Sequence, residues 1–354
     1  TLPTDQSSRN LGVRIMQSLS RRKFLYLGTA ATLAGVSGCD VAGYSKAPDE
    51  RFPQGQFDAD STAEAVTEGL DLSGKTALIT GCNSGLGYES MRVLAARGAH
   101  VIGTGRTLEK ARKACASVSG KTTPAVLELS DFSSAVDCAE TVKALGIPLD
   151  IVIANAGISG HDELHTIDGI EQTFRINYLG HFVLVHKLLP LVKAATNGRI
   201  VHVSSAAAYL RVPDGGIDFH SLRGEKSYSR LEKYGQSKLA NILFSLQLSK
   251  MLAGSDVTTN SLHPGLVDTD IVRSYPGWFQ KVYGLIVPYI AKTVSEGAAT
   301  QVYVASHPDV TGVSGAYFED CNPVMVSGDS YLHNEDLAEK LWRVSLQMTR
   351  GYIS

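Results

Sequence analysis

Cysteine is scarce and scattered. Five stand in 354 residues, at 39, 82, 115, 138 and 321. None forms the close pair of a zinc ribbon or a C-x-x-C redox site, and an odd count at wide spacing argues against a disulfide framework. Cys115, Cys138 and Cys321 read as small apolar core residues. Charge is also thin: 19% of residues are charged and the formal net charge is −2. That lacks the basic surface of an electrostatic nucleic-acid binder, so no nucleic-acid partner is expected. The apolar stretch from Phe24 to Gly38 is about 15 residues long, too short to span a bilayer comfortably. No internal repeat or second core is evident. What is present is 44% hydrophobic content and 34 glycines, enough for one large domain or two small ones with tight loops.

The first seventy residues differ from the rest. "SRRKFLYLGTAATLAGVSGC", residues 20–39, has a basic pair, an apolar middle and small residues before a cysteine. That is the layout of an export signal. "SRRKFL" resembles a twin-arginine signal, and "VSGC" resembles a lipobox in which Cys39 would be acylated and attach the protein to a membrane. The expectation is an export signal over 1–39, with a periplasmic or outer-face location, the alternative being a cytoplasmic protein. Residues 40–72, with Pro48, Pro53 and many acidic residues, read as a linker with a short helix at 61–69.

Beyond Leu72, short β-branched runs alternate with amphipathic segments. Strands are expected near 76–80, 100–104, 125–129, 149–154, 199–204, 257–262 and 315–318. Helices are expected near 85–97, 108–118, 133–144, 167–194, 230–252, 294–305 and 334–347. Alternation of this kind predicts one α/β domain over 73–350, a doubly wound parallel sheet of about seven strands with helices on both faces.

"TGCNSGLG" follows the first strand directly. In such sheets ligands sit beyond the carboxyl ends of the strands. A helix starting near Leu86 offers unpaired N–H groups and a positive dipole end to an anion. Gly81, Gly85 and Gly87 permit a tight turn and a close approach by a pyrophosphate, with Asn83, Ser84 and Leu86 in the same loop. The spacing is G-x-x-x-G-x-G rather than G-x-G-x-x-G. "HVIGTGRT" ends the second strand with Gly105 and Arg106. A carboxylate there would accept a ribose hydroxyl, whereas a guanidinium suits a 2′-phosphate, so the expected cofactor is NADP(H).

"YGQSK" puts Tyr234 and Lys238 four apart on one helix face. A free phenol has a pKa of about 10, too high for a base at neutral pH. A neighbouring ammonium favours the phenolate, so Tyr234 could exchange a proton with a substrate oxygen as hydride moves. Ser204 and Ser205 end the fifth strand, where a hydroxyl could hold the reacting oxygen. Asn155, Ala156 and Gly157 end the fourth strand with room for a cofactor. Asn177 lies inside an apolar helix, where an amide needs a partner; it could bond the backbone at a helix distortion or hold a water linked to Lys238.

Together these motifs resemble the short-chain dehydrogenase/reductase family, over about 280 residues and in family order. The resemblance implies a Rossmann-type fold and a catalytic set of Asn177, Ser205, Tyr234 and Lys238. It favours Ser205 over Ser204. It makes "LHPGLVDTD" the nicotinamide loop, with Pro264, Gly265, Val267 and Thr269. The family's usual Asp plus apolar residue near the adenine is here Glu128-Leu129, followed by Ser130-Asp131, so either carboxylate could serve. "NYLGHF" and "EGAATQVYVASHPDVTGVSGAYFEDC" are similar to the retinol dehydrogenase and WW-domain oxidoreductase branch, and protochlorophyllide reductases share parts of the pattern. The branch implies NADP(H) and a lipophilic aldehyde, ketone or alcohol. In related enzymes the helices near 167–194 and 230–252 often pair, so a homodimer is expected.

Two segments are expected to cover the substrate: 206–229, with Tyr209, Leu210, Val212 and Phe219, and an apolar lid at 271–292. The competing readings are a non-catalytic NADP-binding module, which would be expected to lack Tyr234 or Lys238, and a protochlorophyllide reductase. Export of an NADP(H) enzyme implies that it folds around its cofactor first.

Overall fold

A computed structural model describes residues 44–224, 228–267, 291–328 and 330–353. β1 (Tyr44–Pro48) precedes β2 (Thr76–Ile79), α1 (Gly85–Ala96), β3 (His100–Gly105), α2 (Leu108–Ala116), β4 (Thr122–Val126), α3 (Phe132–Lys143) and β5 (Ile151–Ala154). Then come α4 (Gly180–Ala194), β6 (Arg199–Val203), α5 (Arg230–Met251), β7 (Thr258–His263), α6 (Val294–Ser306), β8 (Tyr317–Glu319), β9 (Asn322–Gly328) and α7 (Glu335–Met348). The strands form one nine-stranded sheet in the order β1-β9-β8-β7-β6-β5-β2-β3-β4. It is parallel from β8 to β4; β9 alone runs the other way, antiparallel to both of its neighbours, β8 and β1.

β2 and β5 are buried at every position, as unbroken β-branched and leucine runs covered on both faces require. Leu78, Val152 and Ile200 point to the layer of α3, α4, α5 and α7. Ala77, Ile79, Ile151, Ile153 and Val201 point to α1, α2 and α6. In the first layer Phe182, Phe244 and Trp342 pack ring against ring, with centroids 5.1 to 5.7 Å apart. Each such buried aromatic contributes about 1.5–3 kcal/mol of transfer free energy.

Three expectations need correction. The segment expected as a linker over 40–72 is, from Tyr44 on, part of the domain. Tyr44–Pro48 pairs with β9, and Ala63 and Val66 are buried against α6 and α1. The parallel part has the seven expected strands, and β9 and β1, which carry too little β-branched alternation to announce themselves, extend the sheet to nine. β4 begins three residues before its expected place: Pro124 is tolerated on this edge strand, while Leu127 and Leu129 are buried after the strand has ended. The helix expected from 167 begins at Gln172, where the Glu171 carboxylate caps the N–H groups of Thr173 and Phe174, both at 2.8 Å.

Candidate active site

The glycine turn joins β2 to α1 with Gly81 at φ 74° and Gly85 at φ 59°, values that exclude a comfortable side chain. A Cβ at Gly87 would collide with the Gly81 carbonyl and the Asn155 amide. The turn is therefore folded onto the end of β5. The helices α2, α3, α5, α6 and α7 each carry a side-chain cap, from Thr107, Asp131, Ser229, Thr293 and Asn334. α1 does not. Ser84 makes no capping bond and the first turn has no acidic residue. A bare helix start behind a glycine turn fits a phosphate group, which would take the free N–H groups and the positive dipole end.

The end of β2 organises the floor of the crevice. Thr80 Oγ1 accepts from the backbone N–H of Asn155 and of Ala156, both at 2.9 Å. The Asn155 amide returns a bond to the Thr80 carbonyl at 2.8 Å. Gly157 follows, wedged between two functional side chains: a Cβ there would lie 3.0 Å from Asn177 Oδ1 and 3.4 Å from Lys238 Nζ.

Asn177 is fully buried in a single π-helical turn, Arg175–Leu179, ahead of α4. Such turns occur often at functional sites. Its Oδ1 accepts from Ile158 N at 2.8 Å, and its Nδ2 donates to Ile158 O and to Ser237 Oγ at 2.9 and 3.0 Å. Ser237 Oγ in turn donates to the Tyr234 carbonyl at 2.8 Å. Lys238 Nζ donates to Val203 O at 3.1 Å and lies 5.7 Å from the centre of the Tyr234 ring. Burial pushes its ammonium down to about 8.

The two serines at the end of β6 differ. Ser204 is buried and its hydroxyl donates to the Lys238 carbonyl at 2.7 Å. Ser205 is only half-buried and its Oγ accepts from Ala207 N at 3.2 Å. The short helical turn Ala207–Leu210 that follows presses on α5 where Gly235 has no side chain; a Cβ there would collide with the Arg211 carbonyl. Gly235 thus sets how near the Ser205 end comes to Tyr234.

Arg106 is exposed at the end of β3. The Glu128 carboxylate accepts from Ser130 N and Oγ at 3.0 and 2.8 Å, while Asp131 is exposed and caps α3. Of the two acids, Asp131 is committed to its helix. Leu129 is buried, with its carbonyl against Gly180. Gly265 has φ 90°, and Val267 is paired with Lys292. A Cβ on Gly297 would lie 2.5 Å from Val267 and 2.9 Å from Leu86, so α6 brings the Pro264–Val267 loop against the glycine turn. Thr269 and residues 271–290 of the expected lid lie outside the described residues, as do Arg21, Arg22 and Cys39. Tyr209 does not line an open pocket: it is buried with its hydroxyl on Glu319 at 3.0 Å.

Sequence reasoning missed Thr80, His181, Ser237 and the role of Gly235. Thr80 and Gly235 sit inside quoted motifs, but their tasks depend on backbone from distant segments.

This doubly wound parallel sheet, with its crevice at the carboxyl ends of the strands, is that of a Rossmann-type α/β protein. Residues 75–217 match the short chain dehydrogenase family. The chain is 38% identical to the short-chain dehydrogenase TIC 32 B, chloroplastic, of Brassica napus, over 81% of this chain and 92% of that one. It is 38% identical to human retinol dehydrogenase 12 over 79% and 87%, and 35% identical to the WW domain-containing oxidoreductase of Gallus gallus over 83% and 73%. A crystal structure of a Mycobacterium paratuberculosis protein superimposes with a TM-score of 0.64 at 30% identity, covering 80% of this chain and 97% of that one. A short chain dehydrogenase from Burkholderia cenocepacia in complex with NADP gives 0.57 at 26% identity, covering 71% and 98%. The chain belongs to the short-chain dehydrogenase/reductase family of oxidoreductases.

Proposed function

We propose that the protein is an NADP(H)-dependent oxidoreductase that interconverts a carbonyl and an alcohol on a small lipophilic substrate. The observation that carries this reading is the convergence of Tyr234, Lys238, Asn177 and the Ser205 strand end beside the glycine turn. When bound, the nicotinamide supplies or accepts the hydride. The uncapped start of α1, with Gly85 and Gly87, would hold the pyrophosphate, and Arg106 would supply the positive charge for a 2′-phosphate. Ser205 Oγ donates to the reacting oxygen and holds it beside Tyr234. In reduction the Tyr234 phenol delivers a proton to that oxygen; in oxidation its phenolate removes one. Lys238, held at the ring, favours the phenolate. Likeness to retinol dehydrogenase 12 supports an apolar substrate.

The test follows NADPH oxidation with medium-chain aldehydes, retinal-like aldehydes and ketosteroids. Tyr234→Phe is expected to lower turnover by about 10³-fold or more, within the range of acid–base catalysis, while NADPH binding changes little. Arg106→Asp is expected to weaken NADPH far more than NADH. Equal loss for both nucleotides overturns the 2′-phosphate assignment, and full activity of Tyr234→Phe overturns the mechanism.

The same proposal includes export by the twin-arginine-like segment and lipid attachment at Cys39, supported by "SRRKFL" and "VSGC". Labelled palmitate is expected in the membrane fraction and is lost in Cys39→Ser; label in neither protein rejects the anchor.

A further inference from the structure

We propose that His181 is a positioning residue that ties the strand end bearing the glycine turn to the helical turn bearing Asn177, and that it acts as a neutral imidazole with its proton on Nδ1. Three observations lead there. His181 is buried in α4, 1% exposed, where a lone imidazole needs partners. Its Nε2 lies 2.9 Å from Thr80 Oγ1 and its Nδ1 lies 3.1 Å from the Asn177 carbonyl. Thr80 Oγ1 already accepts two backbone N–H groups.

The proton positions follow from counting. A hydroxyl has two acceptor sites and one hydrogen. Both acceptor sites of Thr80 are filled by Asn155 and Ala156, so its hydrogen must go to His181, and Nε2 must accept it. The Asn177 carbonyl can only accept, so Nδ1 must carry the proton. A doubly protonated ring would set a second hydrogen against the Thr80 hydroxyl. Burial, opposed by the bond to Asn177 and helped by the Lys238 charge, holds the imidazole down to about 4, consistent with a neutral ring.

The result is two runs of hydrogen bonds joined through Asn177, one ending on its backbone carbonyl and the other starting from its amide. The first runs from Asn155 and Ala156 through Thr80 and His181 to the Asn177 backbone. The second runs from the Asn177 amide through Ser237 to the Tyr234 carbonyl. The Asn177 amide reaches the β5 end directly at Ile158; His181 adds the link from Thr80, at the end of β2, to the Asn177 backbone. Its two nitrogens have separate tasks: Nε2 steadies the β2 and β5 ends, and Nδ1 steadies the π-helical turn.

The two tasks can be separated experimentally. In His181→Gln the amide reaches the place of Nε2 and abandons Asn177. In His181→Asn it takes the place of Nδ1 and abandons Thr80. Loss of one buried hydrogen bond is worth about tenfold in an equilibrium or rate constant. His181→Gln is therefore expected to lower kcat about tenfold with NADPH affinity unchanged, and His181→Asn to weaken NADPH about tenfold with kcat retained. Equal effects of both substitutions on both quantities, or no effect of either, overturn the proposal. A second measurement is independent of turnover and of variant folding. Nitrogen NMR of the full-length wild type at pH 7 should show His181 protonated at Nδ1 and bare at Nε2. A proton on Nε2, or an imidazolium, overturns it. The kinetic arm rests on the proposed carbonyl–alcohol reaction: a wild type that turns over no carbonyl or alcohol fails that reading, while NADPH affinity and the NMR tautomer still decide His181.

Discussion

Ser204 and Ser205 are adjacent, yet their hydroxyls have different commitments. Ser204 is bonded to the α5 backbone, whereas Ser205 lies half-open at the strand end. Ser205→Ala should lower kcat/KM about 10²–10³-fold, the effect of losing a donor to developing charge. Ser204→Ala should instead cost about 1–2 kcal/mol of stability, with kcat nearly intact. Steady-state kinetics beside urea unfolding of both variants checks this; the reverse pattern would transfer the role to Ser204. The sequence alone offered both serines, because strand alternation indicates where a side chain points and not what it bonds. Tyr234 and Lys238 were legible, since helical spacing puts them on one face. His181 was not, because an imidazole in an apolar helix reads as ordinary core until Thr80 and Asn177 are brought to it by the sheet.

The elements show the same division. Most helices were legible to within one or two residues because apolar periodicity and capping residues agree, as in α6, where Thr293 and Glu296 form a capping box. β1 was illegible: "YSKAP" has no apolar alternation, and its stability comes from pairing with β9 and from one ion pair. Lys46 Nζ reaches Glu319 Oε2 at 2.7 Å, and Glu319 Oε1 accepts from both Tyr209 and Tyr317 at 3.0 Å. β1 thus closes an antiparallel edge that would otherwise present free backbone groups. It also steadies the turn that follows Ser205, through Tyr209. Lys46 is half exposed, 51%, so solvent screens the pair. Lys46→Met should cost about 1 kcal/mol in urea unfolding at low salt, and less at high salt. A cost that does not depend on salt would mean that the methylene stem, rather than the charge, holds β1.

At the scale of the molecule, buried titratable groups set how stability depends on pH. Burial pushes His181 down to about 4, and it pushes His202 down to about 3, with the nearby His181 adding to the effect. His202 is 1% exposed and its ring packs 4.8 Å from Phe244. Below the ordinary imidazole value of about 6.5, the unfolded chain takes up protons that the folded chain refuses. Their contribution is therefore intact above about 6.5 and is lost as pH falls toward 4, with each imidazole removing about 2 kcal/mol by pH 5. Lys238, held down to about 8 by burial, acts with the same sign at the other end: the unfolded lysine keeps its proton to about 10.5, so stability rises between those values. The apo protein should accordingly lose its urea resistance well above the carboxylate range and gain it on the alkaline side. His202→Phe should remove about 2 kcal/mol of the loss between pH 6.5 and 5, because its ring charges in the unfolded state and its two buried nitrogens have no hydrogen bond to give up; His181 and His263, the latter also held down to about 4 by burial, keep their share. Urea midpoints that are equal at pH 7 and pH 5 would show that these imidazoles find solvent or a partner when protonated, and that the floor beneath the crevice opens more readily than its packing requires.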